Sequence, residues 1–245
     1  MPRATLSDFT CSGLPVEKRK LLGYTTDMYF ASRMQAGRML AERLKTKYRY
    51  ENCAVVALND GGVVVGAQIA AQLHCVLGMV LMSEITLPRE NDGIGSVSSG
   101  GEFTYNSDYT SGEIDELQSE FRGYIEEQKL TKLHEMNALL GSGGLMRRDL
   151  LTGHNVILVA DGLRGGALLA AAELFLKPIS IERLIIVTPM ADVKALDKIH
   201  VMADEIQCLS VVDDTFEINH YFEQNDIPDH ETIVKIIEEM ILHWK

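Results

Sequence analysis

Cysteine is scarce in this chain and arranged without system. Its four residues, Cys11, Cys53, Cys75 and Cys208, lie far apart, with no CxxC pair and no histidine at zinc-finger spacing. That excludes a disulfide framework and a structural zinc, and points to reduced, buried thiols. Positive charge is also in deficit: 23 basic against 35 acidic residues give a net charge of -12. A surface of that sign repels polyanions, so neither nucleic acid nor an anionic membrane is an expected partner. Long apolar runs are missing as well. The first 23 residues lack the apolar core of a signal peptide, and the most apolar stretch, residues 53–82, is broken by Asn59, Asp60 and Gln68; a cytoplasmic protein is expected. There is no internal repeat and no low-complexity tract.

What the sequence does contain is apolar residues, 46% of 245, enough to bury a substantial core without staples. Residues 27–46 place Phe30, Met34, Gly37, Ala41 and Leu44 at helical spacing, with Arg33, Arg38, Glu42 and Arg43 elsewhere around the cylinder, which predicts an amphipathic helix. Short continuous apolar runs at 53–58, 76–82, 155–159 and 183–187 read as strands buried on both faces, the last ending at Thr188-Pro189. Helical stretches separate them, notably 63–73 and 166–176. Alternation of this kind predicts a central parallel sheet flanked by helices, with ligands beyond the carboxyl ends of the strands. Residues 91–112, rich in Gly, Ser and Asn, read as a flexible loop, and 113–140 as one long charged helix capped by Ser111. Its apolar positions Leu117, Phe121, Tyr124 and Leu130 predict a stripe left uncovered and hence a homodimer.

Residues 155–176, NVILVADGLRGGALLAAAELFL, read strand, tight turn, helix. Gly162, Gly165 and Gly166 allow the backbone to approach an anion closely, and the amides of Gly165, Gly166 and Ala167 would point at a phosphate. The alternative is a tight connection with no ligand. The loop matches neither GxxxxGK[ST] nor GxGxxG.

This unit resembles the ribose-phosphate motif of type I phosphoribosyltransferases. The opening helix, with Phe30-Ala31-Ser32-Arg33 and Ala36-Gly37-Arg38, the unit VVALNDGGVVVGAQIAAQL, Ile94-Gly95-Ser96-Val97, 204–209, Phe216 and Tyr221-Phe222 are similar to that family in order and spacing. The resemblance implies a type I phosphoribosyltransferase-like α/β fold over 1–245. Its central parallel sheet would carry a loop-plus-helix insertion at 91–150 and a small hood built from the N-terminal residues and the segment from about 213 to 245. It implies a phosphate and ribose site at Asp161, Gly162, Leu163, Arg164, Gly165, Gly166 and Ala167, and a pyrophosphate loop at Asp60, Gly61 and Gly62. A phosphorylated ribose or nucleotide-like molecule would be the ligand, with Mg2+ only if the transferase reading holds.

Several chemical positions depart from the family's pattern. Of the paired acids that hold the ribose hydroxyls, Ala160 replaces one and Asp161 keeps the other. Gly165 and Leu168 stand where hydroxyl donors are expected, Asp60 where an arginine is usual, and Ser83-Glu84 where a basic pair is expected. At an effective dielectric of about 20, a unit charge pair 4 Å apart is worth about 4 kcal/mol, so exchanging cations for anions acts strongly against a departing pyrophosphate. The expectation is a phosphoribosyltransferase-family protein with weak or absent transferase activity. An active Mg2+-dependent transferase and a non-catalytic regulatory or structural dimer are the alternatives. No catalytic residue and no resident metal ligand set can be assigned: the seven histidines form no HExxH or other close pair, and Asp213-Asp214 reads as a turn. Arg89, Arg147 and Arg148 are the basic residues that could stand in for the missing cations.

Overall fold

The computed structural model describes residues 28–88, 93–99, 101–106, 108–140, 146–213 and 217–242. The N-terminal share of the expected hood, Cys11, Arg89, the loop 141–144, Asp214 and Phe216 lie outside the described residues.

Helix α1 spans Arg33–Tyr48, starting later than the pattern predicted because Ser32 caps it, its side chain accepting from the Gln35 amide. Strand β1 (Cys53–Ala57) leads into α2 (Asp60–Leu73), and β2 (Val76–Met79) follows. The apolar run read as one strand over 76–82 divides here: Met82 opens β3 (Met82–Thr86), which leaves the main sheet and pairs antiparallel with β4 (Gly93–Ser98), itself paired with β5 (Phe103–Tyr105). Much of the segment expected to be a flexible loop is therefore ordered strand. Helix α3 covers Ser111–Leu140, with non-helical backbone at Phe121. Thr110, not Ser111, caps it: its amide and hydroxyl donate to Glu113 Oε2 at 2.7 Å, and the Glu113 amide donates back to Thr110 Oγ1 at 3.4 Å, a capping box.

The second half of the chain supplies β6 (Asn155–Val159), α4 (Ala167–Leu176), β7 (Arg183–Asp192), α5 (Val193–Met202), β8 (Glu205–Val212) and α6 (His230–Leu242). Strand β7 runs on past Pro189, where the sequence signalled a stop. Its pairing with β6 ends at Val187, before Pro189, so the missing proline amide removes no bond from that ladder.

The main sheet has the order β2-β1-β6-β7-β8, and every pairing in it is parallel. Alternate residues feed two cores. Val55, Ala57, Ile157, Val159, Ile185 and Val187 face residues of α1, α2 and α6. Ala54, Val56, Val156, Leu158 and Ile186 face residues of α4 and α5. Apolar side chains on both faces explain why these strands read as continuous hydrophobic runs. A third cluster joins Ile85, Leu87, Ile94 and Val97 of the small sheet region to Ile125 and Met136 of α3, with Leu117, Phe121 and Tyr124 packed against it. The apolar stripe of α3 is thus largely covered by the chain's own small sheet, and of the four positions read as uncovered only Leu130 is strongly exposed, at 68%. Ser96 fastens that sheet to the body through its buried hydroxyl, which donates to the Ala167 carbonyl at 2.9 Å. Among the described residues no helix is long and apolar enough to cross a membrane.

Cys53 and Cys75 both lie in the core beneath α1 and α2. Burial pushes the Cys53 thiol up to about 11. Burial, with Cys53 adding to it, pushes Cys75 up to about 12. The thiolate is the nucleophile, and it forms only as pH rises toward these values. Iodoacetamide at pH 8 is therefore expected to leave both residues unmodified in the folded protein and to alkylate both in denaturing urea. Peptide mass spectrometry reads the outcome, and rapid native alkylation would contradict the burial described.

Candidate functional site

A cleft of about 390 Å³ opens at the carboxyl ends of β1 and β6, lined by Arg33, Asn59, Ser83, Glu84, Asp161, Gly162, Arg164, Leu168 and a C-terminal strand-free segment that includes Glu217, Ile218 and Asn219. Its position follows from the parallel sheet, since only there do loops after successive strands converge.

The loop after β6 is held from outside the cleft. The Leu163 amide donates to the Met190 carbonyl and the Asp192 amide to the Leu163 carbonyl, both at 3.0 Å, so the turn runs hydrogen-bonded along the end of β7. Gly165 adopts a left-handed conformation, φ 58°, and its amide donates to Asp192 Oδ2 at 3.0 Å. Asp192 is almost fully buried and also caps α5, Oδ1 accepting from Ala195 at 2.6 Å. A β-branched residue is a genuine outlier at such a φ. A threonine at 165 would therefore strain the loop in this shape. Gly166 caps α4 without a side chain, and a Cβ there would collide with Lys198 Nζ. Lys198 is fixed by Asp108 at 2.7 Å and Asn106 at 3.1 Å. Of the three amides expected to face a phosphate, that of Gly165 is already engaged; those of Gly166 and Ala167 open the first turn of α4, where amides lack intrahelical acceptors.

Asp161 is the centre of the site, and it faces inward. Arg33 Nε donates to Asp161 Oδ2 at 2.7 Å and Asn59 Nδ2 to Oδ1 at 2.8 Å. The carboxylate is almost sealed, with residue exposure of 3% for Asp161 and 0% for Arg33. The rest of the guanidinium is equally engaged: it donates to Asn219 Oδ1 and, at 3.2 Å, to Asn225 Oδ1, lies 3.7 Å from Asp226 and stacks over the Phe222 ring at 4.3 Å. Such a planar, forked donor suits several fixed acceptors at once.

The expected pyrophosphate loop forms the first turn of α2. Asn59 caps it, its Oδ1 accepting from the Gly62 amide at 2.7 Å. Asp60 lies 3.3 Å from His230 Nδ1 at the start of α6. Gly61 is small because of the ion pair: a Cβ there would overlap the Asp161 carboxylate and come within 2.9 Å of Arg33 Nε. The group that closely approaches this glycine is part of the protein. Ser83 and Glu84 line the cleft as expected.

Helical periodicity gave no warning of Arg33, which falls away from the apolar positions yet is fully buried. A sign of it was the cluster of short polar side chains at Asn219, Asn225 and Asp226, acceptors in search of a donor. Arg147 and Arg148 do not fold over the cleft: Arg147 pairs with Asp149, and Arg148 lies 3.6 Å from Glu102 and over Phe175. Asn59, Asp192 and Lys198 escaped the sequence reading because nothing local distinguishes them.

The fold and loops have counterparts among known proteins. A protein from Mycobacterium tuberculosis, named provisionally as a phosphoribosyl transferase and found in strains CDC 1551 and H37Rv, is 25% identical over 182 residues, or 74% of this chain. The match spans 40% of that protein's length. The crystal structure of TT1426 from Thermus thermophilus covers 87% of this chain and 99% of its own at 25% identity, with a TM-score of 0.64. The model of the phosphoribosyl transferase domain matches residues 26–225, a span that takes in α1, both glycine loops and the segment over the cleft, and the chain belongs to that family.

Proposed function

We propose that this protein holds a phosphorylated ribose or nucleotide-like molecule at Asp161, Gly162, Leu163, Arg164, Gly165, Gly166 and Ala167, and transfers phosphoribosyl groups weakly or not at all. The observation that carries this is the state of Asp161. With Ala160 beside it, Asp161 is the one acid left to hold ribose hydroxyls, and both its oxygens already accept from Arg33 and Asn59. Charge on the cleft wall points the same way, since Glu84, Asp161 and Glu217 outnumber Arg33 and Arg164 there, and Asp60 stands in the turn where a leaving pyrophosphate would need cations. Phosphoribosyl transfer depends on stabilising that leaving charge.

Magnesium belongs to the active-transferase alternative alone, and the residues present do not fit a resident ion. Asp161 is committed to Arg33, and among the described residues no group of three or more His, Cys, Asp or Glu side chains could hold a metal.

Titration calorimetry with magnesium present should find ribose 5-phosphate bound at least about tenfold more tightly than phosphoribosyl pyrophosphate, because the acidic turn at Asp60 opposes the added charge. The reverse order would overturn the reading. In a pyrophosphate-release assay across purine and pyrimidine bases, the wild type should fall below about a hundredth of a typical turnover of about 10 per second, and Asp60→Arg or Ala160→Asp alone should not restore it, since the altered groups act together. Turnover near 10 per second would establish the active transferase instead. Gly61→Ala should displace the carboxylate from Arg33 and destabilise the fold by about 3–5 kcal/mol, the scale for breaking a buried ion pair; urea denaturation measures it.

A further inference from the structure

The segment over the cleft is attached in two different ways. On one side it is anchored to the lead-in of α1 by backbone hydrogen bonds, Phe30 amide to Tyr221 carbonyl at 2.9 Å, Glu223 amide to Phe30 carbonyl at 2.9 Å and Gln224 amide to Ala31 carbonyl at 3.1 Å. Asp226 reinforces that side by accepting from the Arg33 and Met34 amides at 3.0 and 3.1 Å. On the other side the start of the short 3-10 turn Ile218–Tyr221 reaches across the phosphate loop, where Ile218 and Asn219 meet the site through their side chains. The Ile218 side chain rests on Gly162, so closely that a Cβ there would lie 2.9 Å from it. The Asn219 carboxamide accepts from the same guanidinium that binds Asp161.

We propose that Arg33 is a positioning residue that latches the turn Ile218–Tyr221 over Asp161, and that a phosphorylated ribose reaches this carboxylate only after the turn lifts from its anchored side. At 3% exposure Asp161 offers a ribose hydroxyl almost no surface while the turn is down. One guanidinium touches both the turn and the acid, so the two are coupled through it: a ligand that engages Asp161 competes for Nε and weakens the hold on Asn219. Asn219 and Asn225 are themselves exposed, so either can be shortened without opening the core, and they sit on opposite sides of the backbone anchors.

The inference rests on the ribose-phosphate reading above, and the test separates the two. Amide hydrogen exchange over 217–220 and the association rate of ribose 5-phosphate are measured for the wild type, Asn219→Ala and Asn225→Ala, with melting temperature as the check on folding. Asn219→Ala should raise exchange of the turn about tenfold, on the scale of one charged hydrogen bond lost, and speed association similarly, while Asn225→Ala, which removes a guanidinium acceptor on the anchored side and leaves the backbone anchors in place, should change both by no more than about threefold. A melting temperature lowered without a change in association rate is what a merely structural asparagine would give, and it overturns the gating role. Unchanged exchange in Asn219→Ala, or equal effects of the two variants, overturns the latch. Faster exchange with no ribose 5-phosphate binding in any variant overturns the ribose-phosphate reading and, with it, the gate.

Discussion

One buried guanidinium organises this molecule. Arg33 projects from the first turn of α1 into a space bounded by Gly61, Asp161, Asn219, Asn225 and the Phe222 ring. A charge removed from water is tolerated only when its partners are close and its donors satisfied, and each of those requirements fixes another element. Asp161 must sit at the end of β6, position 61 must lack a side chain, Asn59 must turn to the second carboxylate oxygen, and the C-terminal segment must lie across the cleft. The two glycine loops are joined by the bond from Asn59 Nδ2 to Asp161, and the ion pair with Arg33 packs against Gly61.

The same arrangement bears on the positions that depart from the family's expected pattern. In a site built to grip a ribose diol, an acid would be left open to the ligand. Here both its oxygens accept from the protein's own Arg33 and Asn59, and alanine stands beside it at 160. Asp192 holds the Gly165 amide and the start of α5 together, which gives the loop a shape that a threonine at 165 would strain. Asp161 and Gly165, close in sequence, are thus each held by a polar partner from elsewhere in the chain.

The main sheet was legible in the sequence because its strands are buried on both faces and bounded by Asn-Asp, Gly and helical stretches. β1 and β6 fall where the apolar runs placed them, and α4 begins one residue after the predicted start. Legibility failed where burial is one-sided or polar. The strands at 93–98 and 103–105 are rich in glycine, serine and aromatic residues and stand as strands through antiparallel pairing and contact with α3 and α4, a tertiary effect that no local pattern carries. The strand at 205–212 escaped notice for a related reason: its first three residues are only half buried. In the site, the loops were found from glycine spacing, but the partners of Asp161 were not, because a buried arginine and two asparagines become a network only when segments far apart in sequence meet.

Those separations bear on the order in which the chain can assemble. Arg33 is 128 residues from Asp161, 186 from Asn219 and 192 from Asn225, so nothing translated early can satisfy it. A nascent chain that has formed α1, β1 and α2 still carries an unshielded guanidinium at the site of its own core, a penalty removed only when β6 and finally the C-terminal segment arrive. The turn Ile218–Tyr221 and the segment around Asn225 are therefore the last of its partners to be translated. A chain cut short before Asn219 would lose the stabilisation of a distant helix along with the cover of a cleft, and would present to solvent a cation that the folded chain buries.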